Sequence, residues 1–275
     1  MANVYNINER YAFVGKTRAG KTGLAIVLAC LFAMAGLPAG YEVWWLDTKG
    51  DPKDRRALRH WGFRNGASED DLRTTKIPNA KYFLIESRRR SDGKTETVAN
   101  QSQKILRAAY KQTKVLVVVD EYTQVTTSRV SAGPALHDVF TRGGGRNVGI
   151  IGLTQEPVNI PRLLLSQATH LVVFNLTFQY DIEYIQKGYI RDYKTPMSKG
   201  NPWGFYWLGV DSQRPEPTYY TSQSEWYDDL SVQILSHRPV RATALAPSPE
   251  KLEDRLDTPA AHKLQSGSKV YSGKG

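Results

Sequence analysis

The chain has 275 residues, 40% of them hydrophobic and 23% charged, enough apolar material for a real core, which excludes global disorder and a collagen-like repeat. Lys and Arg outnumber Asp and Glu by 37 to 27, a formal net charge of +10 that suits a polyanionic partner without proving one. The single cysteine, Cys30, excludes an internal disulfide framework and a Cys-based zinc site, and points to a reducing cytosolic compartment.

In chain order, Tyr11-Ala12-Phe13-Val14 reads as a short buried strand running into Gly15-Lys16-Thr17-Arg18-Ala19-Gly20-Lys21-Thr22. An uninterrupted apolar run, 23–35, follows. Lys16, Arg18 and Lys21 before it and Ala33-Met34-Ala35 at its end imitate a signal peptide. The run is too short to cross a bilayer, which takes roughly 20 residues. Because the residues before it have a better use, it reads as a buried helix stopped by Gly36 and Pro38. Tyr41-Glu42-Val43-Trp44-Trp45-Leu46 is the next strand, ending in Asp47-Thr48-Lys49-Gly50-Asp51. Residues 52–80 read as loops around a short helix over 53–61, and Tyr82-Phe83-Leu84-Ile85 as a strand leading to a basic loop. Residues 96–112 have an amphipathic helical pattern.

Val115-Leu116-Val117-Val118-Val119 is apolar at every position, as a central parallel strand covered on both faces must be, and Asp120-Glu121 closes it. A helix over 134–140 ends at Gly143-Gly144-Gly145, and Val148 to Leu153 form another buried strand ending in Thr154-Gln155. A short helix over 160–167 and a strand over 170–174 follow. The alternation predicts an α/β fold with a mostly parallel central sheet flanked by helices. Residues 207–210 and 218–220 flank a Pro-containing turn and predict a C-terminal β-hairpin at the sheet edge. The expected organisation is one domain over 1–240 and a mobile tail over 241–275, rich in Ala, Pro, Ser, Gly and Lys, with a helical turn near 250–256.

The chemistry is concentrated at the strand ends. Gly15-x4-Gly20-Lys21-Thr22, between a strand and a helix, fits the P-loop pattern in full. Backbone N–H groups of Gly15, Lys16, Thr17, Arg18, Ala19 and Gly20 would curl round the phosphates of ATP, and the helix N-terminus adds its dipole. Lys21 can reach the β- and γ-phosphates, and the Thr22 hydroxyl can hold Mg²⁺. Asp120 is the second candidate for the Mg²⁺ shell, and Glu121 the candidate base for the attacking water. Gln155 can face the γ-phosphate, or merely hydrogen-bond a loop. Arg142 and Arg146 flank the triple glycine, where either can stabilise transition-state charge across a subunit interface, or lie solvated or against DNA. Arg55, Arg56 and Arg59, and Arg88, Arg89, Arg90 and Lys94, form two basic clusters that suit phosphate gripping as well as ordinary solvated loops. Five scattered histidines offer no further metal site.

The order of motifs resembles the FtsK–HerA superfamily of DNA-translocating ATPases. Gly15 to Thr22, then Leu46-Asp47-Thr48-Lys49-Gly50, Val115 to Glu121, and Gly145-Arg146-Asn147-Val148-Gly149 leading to Leu153-Thr154-Gln155-Glu156-Pro157 carry it, over roughly 11–176. A P-loop strand beginning at residue 11 leaves no room for an accessory N-terminal barrel, as in the genome-packaging ATPases of tailless, membrane-containing viruses. The resemblance implies a hexameric or similar ring with trans-acting arginines, of which Arg146 is the first choice and Arg142 the second.

The expectation is an Mg-ATP-hydrolysing motor that moves double-stranded DNA as a viral packaging ATPase, in the host cytoplasm or on the virion, docked to a capsid or membrane vertex protein. Two alternatives remain open at this point. One is a filamentous-phage-type morphogenesis or secretion ATPase, which usually brings a membrane span. The other is a non-catalytic nucleotide-binding scaffold, which has no need of the Asp120-Glu121 pair.

Overall fold

The runs of β-branched and aromatic residues become the strands of one open sheet. In the computed structural model the described residues are 6–66, 79–89, 91, 94–128, 130–209, 216–222 and 224–228. All of them belong to one compact unit, Met1–Arg238. The tail expected over 241–275, and Arg90 of the second basic cluster, lie outside the described residues.

The strands are β1 (Arg10–Val14), β2 (Glu42–Asp47), β3 (Arg64–Asn65), β4 (Ala80–Leu84), β5 (Arg88–Arg89), β6 (Thr95–Glu96), β7 (Val115–Val119), β8 (Val148–Thr154), β9 (His170–Val173), β10 (Phe205–Gly209) and β11 (Thr218–Tyr220). Nine of them form a sheet in the order β11-β10-β9-β1-β8-β7-β2-β4-β3, and β5 pairs with β6 as a separate antiparallel ribbon. From β9 to β3 every pairing is parallel. The predicted hairpin supplies the antiparallel edge, with Tyr206 opposite Tyr219.

β7 and β8 are buried at every residue, which is why their sequences show no polar alternation. Helices α1 (Lys21–Gly36), α2 (Pro52–His60), α3 (Val98–Gln112), α4 (Tyr122–Val125), α5 (Pro134–Arg142), α6 (Arg162–Ser166) and α7 (Gln179–Gly188) complete the fold. One sheet face carries Val115, Val117, Val119, Val148 and Ile150, which share a core with Leu106 of α3 and with Leu136, Val139 and Phe140 of α5. α1 packs on β2, β7 and β8. Its Phe32 ring lies 5.6 Å from Tyr11, a residue outside that first cluster. Together with the turn after it, Lys21–Ala39 is long and apolar enough to cross a membrane, yet 61% of its most apolar window is buried within the protein. Contact with the sheet therefore accounts for its composition.

The remaining differences from expectation are small elements. α4, α7, β3 and the β5–β6 ribbon are not anticipated by the periodic reading. α4 and the three strands are too short to show a period, and α7 is polar at most positions, with only Asp181 and Ile185 buried.

Close packing behind the site depends on a glycine. A Cβ on Gly152 of β8 would lie 1.5 Å from the Tyr122 ring, and Tyr122 is wholly buried. Gly152→Ala should therefore destabilise the fold by about 1–3 kcal/mol, the usual range for overpacking. A lower urea midpoint at unchanged m-value checks it.

Candidate functional site

β1, β8, β7 and β2 are neighbours in the sheet and parallel, so the segments leaving their carboxyl ends converge on one edge, where ligands of open α/β sheets collect. The P-loop leaves β1 between two neighbours. Gly15 N–H donates to the Thr154 carbonyl at 3.2 Å, and Lys16 N–H to the Asn175 carbonyl at 2.8 Å. A Cβ on Gly15 would stand 2.6 Å from the Phe174 Cβ, so the close approach of these chains requires glycine. Gly20 turns the loop into α1 with φ +97°, a conformation that other residues adopt only with strain. Thr17 and Arg18 at the loop's crest are exposed, while Ala19 is buried.

Lys21 is the first residue of α1 and is buried. Its ammonium donates to the Gly15 carbonyl and, at 2.8 Å, to that of Lys16, which holds it against the concave side of the loop. Burial, and then the charge of Lys49, lower its pKa to about 8, with Glu121 pulling the other way. Thr22, next on α1, is half-buried.

Asp120 and Glu121 follow β7 and are both buried. One Asp120 oxygen, Oδ1, accepts from Thr48 N–H at 3.0 Å and from the Thr48 hydroxyl at 2.5 Å. Lys49 Nζ donates to the Asp120 main-chain carbonyl at 2.7 Å. The other oxygen, Oδ2, is buried with no protein partner. Burial pushes the Asp120 carboxyl up to about 6, against the opposing charge of Lys49 and the Thr48 bonds. A hard divalent cation with its water shell is the kind of group such an oxygen suits, so Asp120 and Thr22 fit Mg²⁺, and the loop with Lys21 fits a polyphosphate.

Glu121 joins the P-loop through side chains. Its Oε1 accepts from the Thr123 hydroxyl at 3.1 Å, and its Oε2 from the Gln155 amide at 3.2 Å. The Gln155 amide oxygen in turn accepts from the Thr17 hydroxyl. Four of the sequence candidates, Lys21, Asp120, Glu121 and Gln155, thus share one edge.

Arg142 and Arg146 do not join them. Both precede the start of β8, at the end of the sheet opposite Gln155. Arg142 is exposed and lies 3.7 Å from Asp138. Arg146 is exposed, stacks 4.7 Å over the Tyr110 ring and donates through Nε to the Tyr110 carbonyl at 3.1 Å. Two side chains of the first basic cluster are tied to the protein itself, although Arg59 is exposed and Arg55 half-buried. Arg55 bonds the Gly50 carbonyl at 2.9 Å and lies 3.6 Å from Asp47, and Arg59 donates to the Tyr82 hydroxyl at 2.9 Å. Arg56, Arg89 and Lys94 are exposed.

Sequence reasoning gave no role to Thr48 and Lys49, which turn out to hold Asp120. The available signal was their place just past the end of β2, the strand next to β7.

No protein-family profile matches the sequence, and no curated protein does. Solved structures match it by fold. The genome-packaging NTPase B204 of Sulfolobus turreted icosahedral virus 2, in complex with AMP, superposes with a TM-score of 0.55 at 16% identity, covering 78% of this chain and 98% of that one. The same protein in complex with ATP-gammaS gives 0.54 at 15%, with the same coverage. VirB4 of Thermoanaerobacter pseudethanolicus gives 0.51 at 10%, covering 80% and 92%. The chain has the fold of these P-loop NTPases, and the resemblance drawn from its motifs agrees with that fold.

The lowered pKa of Lys21 fixes a pH dependence. In the free protein its ammonium loses the proton near pH 8, whereas a bound polyphosphate favours the charged form, so binding takes up a proton above that pH. Nucleotide affinity should fall as the pH rises through about 8. Lys21→Ala should bind far more weakly and lose this pH step. Titration with a fluorescent ATP analogue at pH 7 and pH 9 measures both effects.

Proposed function

We propose that the chain is an ATPase that couples hydrolysis to movement of double-stranded DNA, in the manner of a viral genome-packaging motor acting in the host cytoplasm or on the virion. The observation that carries the hydrolytic part is the buried carboxylate pair Asp120 and Glu121 beside the P-loop lysine, with Gln155 hydrogen-bonded to Glu121. A site that only bound nucleotide would not need a second buried carboxylate aimed at the same edge.

In this reading the P-loop N–H groups and Lys21 bind and orient the phosphates. Thr22 and Asp120 would hold Mg²⁺, which when bound neutralises charge on the β- and γ-phosphates. Glu121 accepts a proton from the attacking water at a carboxylate oxygen. Gln155 orients that carboxylate and lies beside the loop that the γ-phosphate would touch. The basic excess supports a polyanionic substrate, with the exposed Arg56, Arg89 and Lys94 as its candidate phosphate contacts.

The likeness to B204, a genome-packaging NTPase, supports the packaging reading over the secretion reading. ATP turnover with and without duplex and single-stranded DNA decides between them. Duplex DNA should stimulate turnover, and no response to either nucleic acid would remove DNA from the proposal. Glu121→Gln should bind ATP but turn over about 10²- to 10⁴-fold more slowly, the usual contribution of a general base. Normal hydrolysis by this variant would place the base elsewhere.

A ring of copies, hexameric or similar, is part of the same proposal. Arg146 stands at the far end of β8 from its own site, so any action on a phosphate must be on another copy's. An added Cβ at Gly144 or Gly145 would meet nothing within 4 Å, and neither glycine has a positive φ. Packing within the chain therefore does not call for glycine there, whereas close approach by a second copy would. Arg146→Ala should bind ATP normally and hydrolyse it poorly. Mixed with Glu121→Gln protein it should regain partial turnover, because some interfaces then join an intact Glu121 to an intact Arg146. Mixed rings verified by native mass spectrometry that stay inactive would exclude Arg146 as the trans group and leave Arg142 to be tested the same way.

A further inference from the structure

Thr17 is an exposed P-loop residue whose backbone, not its side chain, belongs to phosphate binding. Its hydroxyl nevertheless donates to the Gln155 amide oxygen, and the Gln155 amide N–H donates to Glu121 Oε2 at 3.2 Å. We propose that Thr17 is a positioning residue: its hydroxyl holds the Gln155 amide, which holds the Glu121 carboxylate, so that the P-loop itself aims the base. This inference rests on the hydrolytic reading above.

The sheet register explains why these three residues meet. Val14 pairs with Thr154, so the P-loop and Gln155 leave adjacent strands side by side. Val119 pairs with Gly152 on the other flank of β8, so Gln155 also rises beside Glu121. Gln155 thus stands between the loop and the base. The chain of bonds has a single polarity. A flipped amide would set its oxygen against a carboxylate oxygen, so Glu121 selects the orientation and Thr17 fixes the rotamer. With Gln155 on Oε2 and Thr123 donating to Oε1 at 3.1 Å, both oxygens of Glu121 are directed before substrate arrives. Such preorganisation is where a support residue acts on rate and not on binding. It also makes the base sensitive to the loop, since any shift of Thr17 as the loop closes round phosphates is passed to the Gln155 amide.

An exposed Thr hydroxyl adds little to stability, so Thr17→Val, close in shape, leaves the fold intact and the effect separable. Thr17→Val should lower kcat roughly 10- to 100-fold, the cost of a misaimed catalytic group, while KM and the affinity for a fluorescent ATP analogue stay near wild type. Thr17→Ser, which keeps the hydroxyl, should restore most of the loss. In a Gln155→Leu background, Thr17→Val should add nothing further, because its only route to Glu121 is gone. A readout without nucleotide accompanies these. The side-chain amide resonances of Gln155 in ¹⁵N-labelled protein should move towards those of solvated glutamines in Thr17→Val and hold their place in Thr17→Ser. Wild-type kcat in Thr17→Val, an undiminished loss in the Gln155→Leu background, or unmoved Gln155 resonances would each overturn the inference. If Glu121→Gln is inactive and Thr17→Val is normal, only this inference fails. If Glu121→Gln hydrolyses ATP normally, the hydrolytic reading fails and this one with it.

Discussion

The nucleotide end of the molecule hangs from the register of one strand. β8 is hydrogen-bonded to β1 on one side and β7 on the other; it ends level with β1, Val14 opposite Thr154, and continues beyond the end of β7, where Val119 pairs with Gly152. Its last residues therefore stand between the P-loop and the Asp120-Glu121 pair, where a single side chain can touch both. A slip of one residue would turn Gln155 to the other side of the sheet and separate Glu121 from the loop. The full burial of β8 resists such a slip, because every position is committed to one of two packed faces. Gly152 belongs to the same constraint. It leaves room for the Tyr122 ring against the strand, which seats α4, the short helix that begins just after Glu121.

Charge at this edge is arranged against its own burial. Asp47, Asp120, Glu121 and Lys21 are all buried and lie at or just beyond the ends of adjacent strands. Burial moves Asp120, Asp47 and Lys21 towards their neutral forms. Neighbouring charges of opposite sign act against that shift. Lys49 opposes the shift of Asp120, Glu121 opposes that of Lys21, and Arg55 opposes that of Asp47. Perturbed groups of both signs gathered at strand ends mark a functional site more firmly than any one of them would. The arrangement also ties the segment after β2 to the chemistry, since Thr48 and Lys49 bind Asp120 by side chain and main chain.

The sheet was legible because β1, β2, β7, β8 and β9 are apolar runs bounded by polar residues or glycine, and the P-loop because its spacing allows few other uses. Neighbourhood was harder to read. Nothing in the pattern says that β2 lies beside β7, and only that adjacency gives Thr48 and Lys49 a purpose. Charge misled in a similar way. Arg55, Arg56 and Arg59 read as one patch, yet Arg55 is bound to Gly50 and Asp47 and Arg59 to Tyr82. A basic run records composition, whereas the direction of each side chain depends on which turn of α2 faces the sheet. The β5–β6 ribbon escaped for want of length, with two residues in each strand.

The same strand that unites one edge separates the two arginines from it. Seven residues of β8 at about 3.3 Å each put Arg146 more than 20 Å from Gln155, beyond the reach of any side chain. Arg146 is nevertheless ordered by its neighbours: Tyr110 supports the guanidinium plane and fixes Nε. Such an arrangement costs side-chain entropy and gains little stability at an exposed site. An arginine held in this way, beside glycines that its own chain does not require, makes most sense as a preorganised half of a contact. In the proposed ring each copy would present the Thr17–Gln155–Glu121 edge to one neighbour and the Arg146 end to the other. Closing the interface and completing the site would then be the same event, which is how hydrolysis in one copy could be felt by the next.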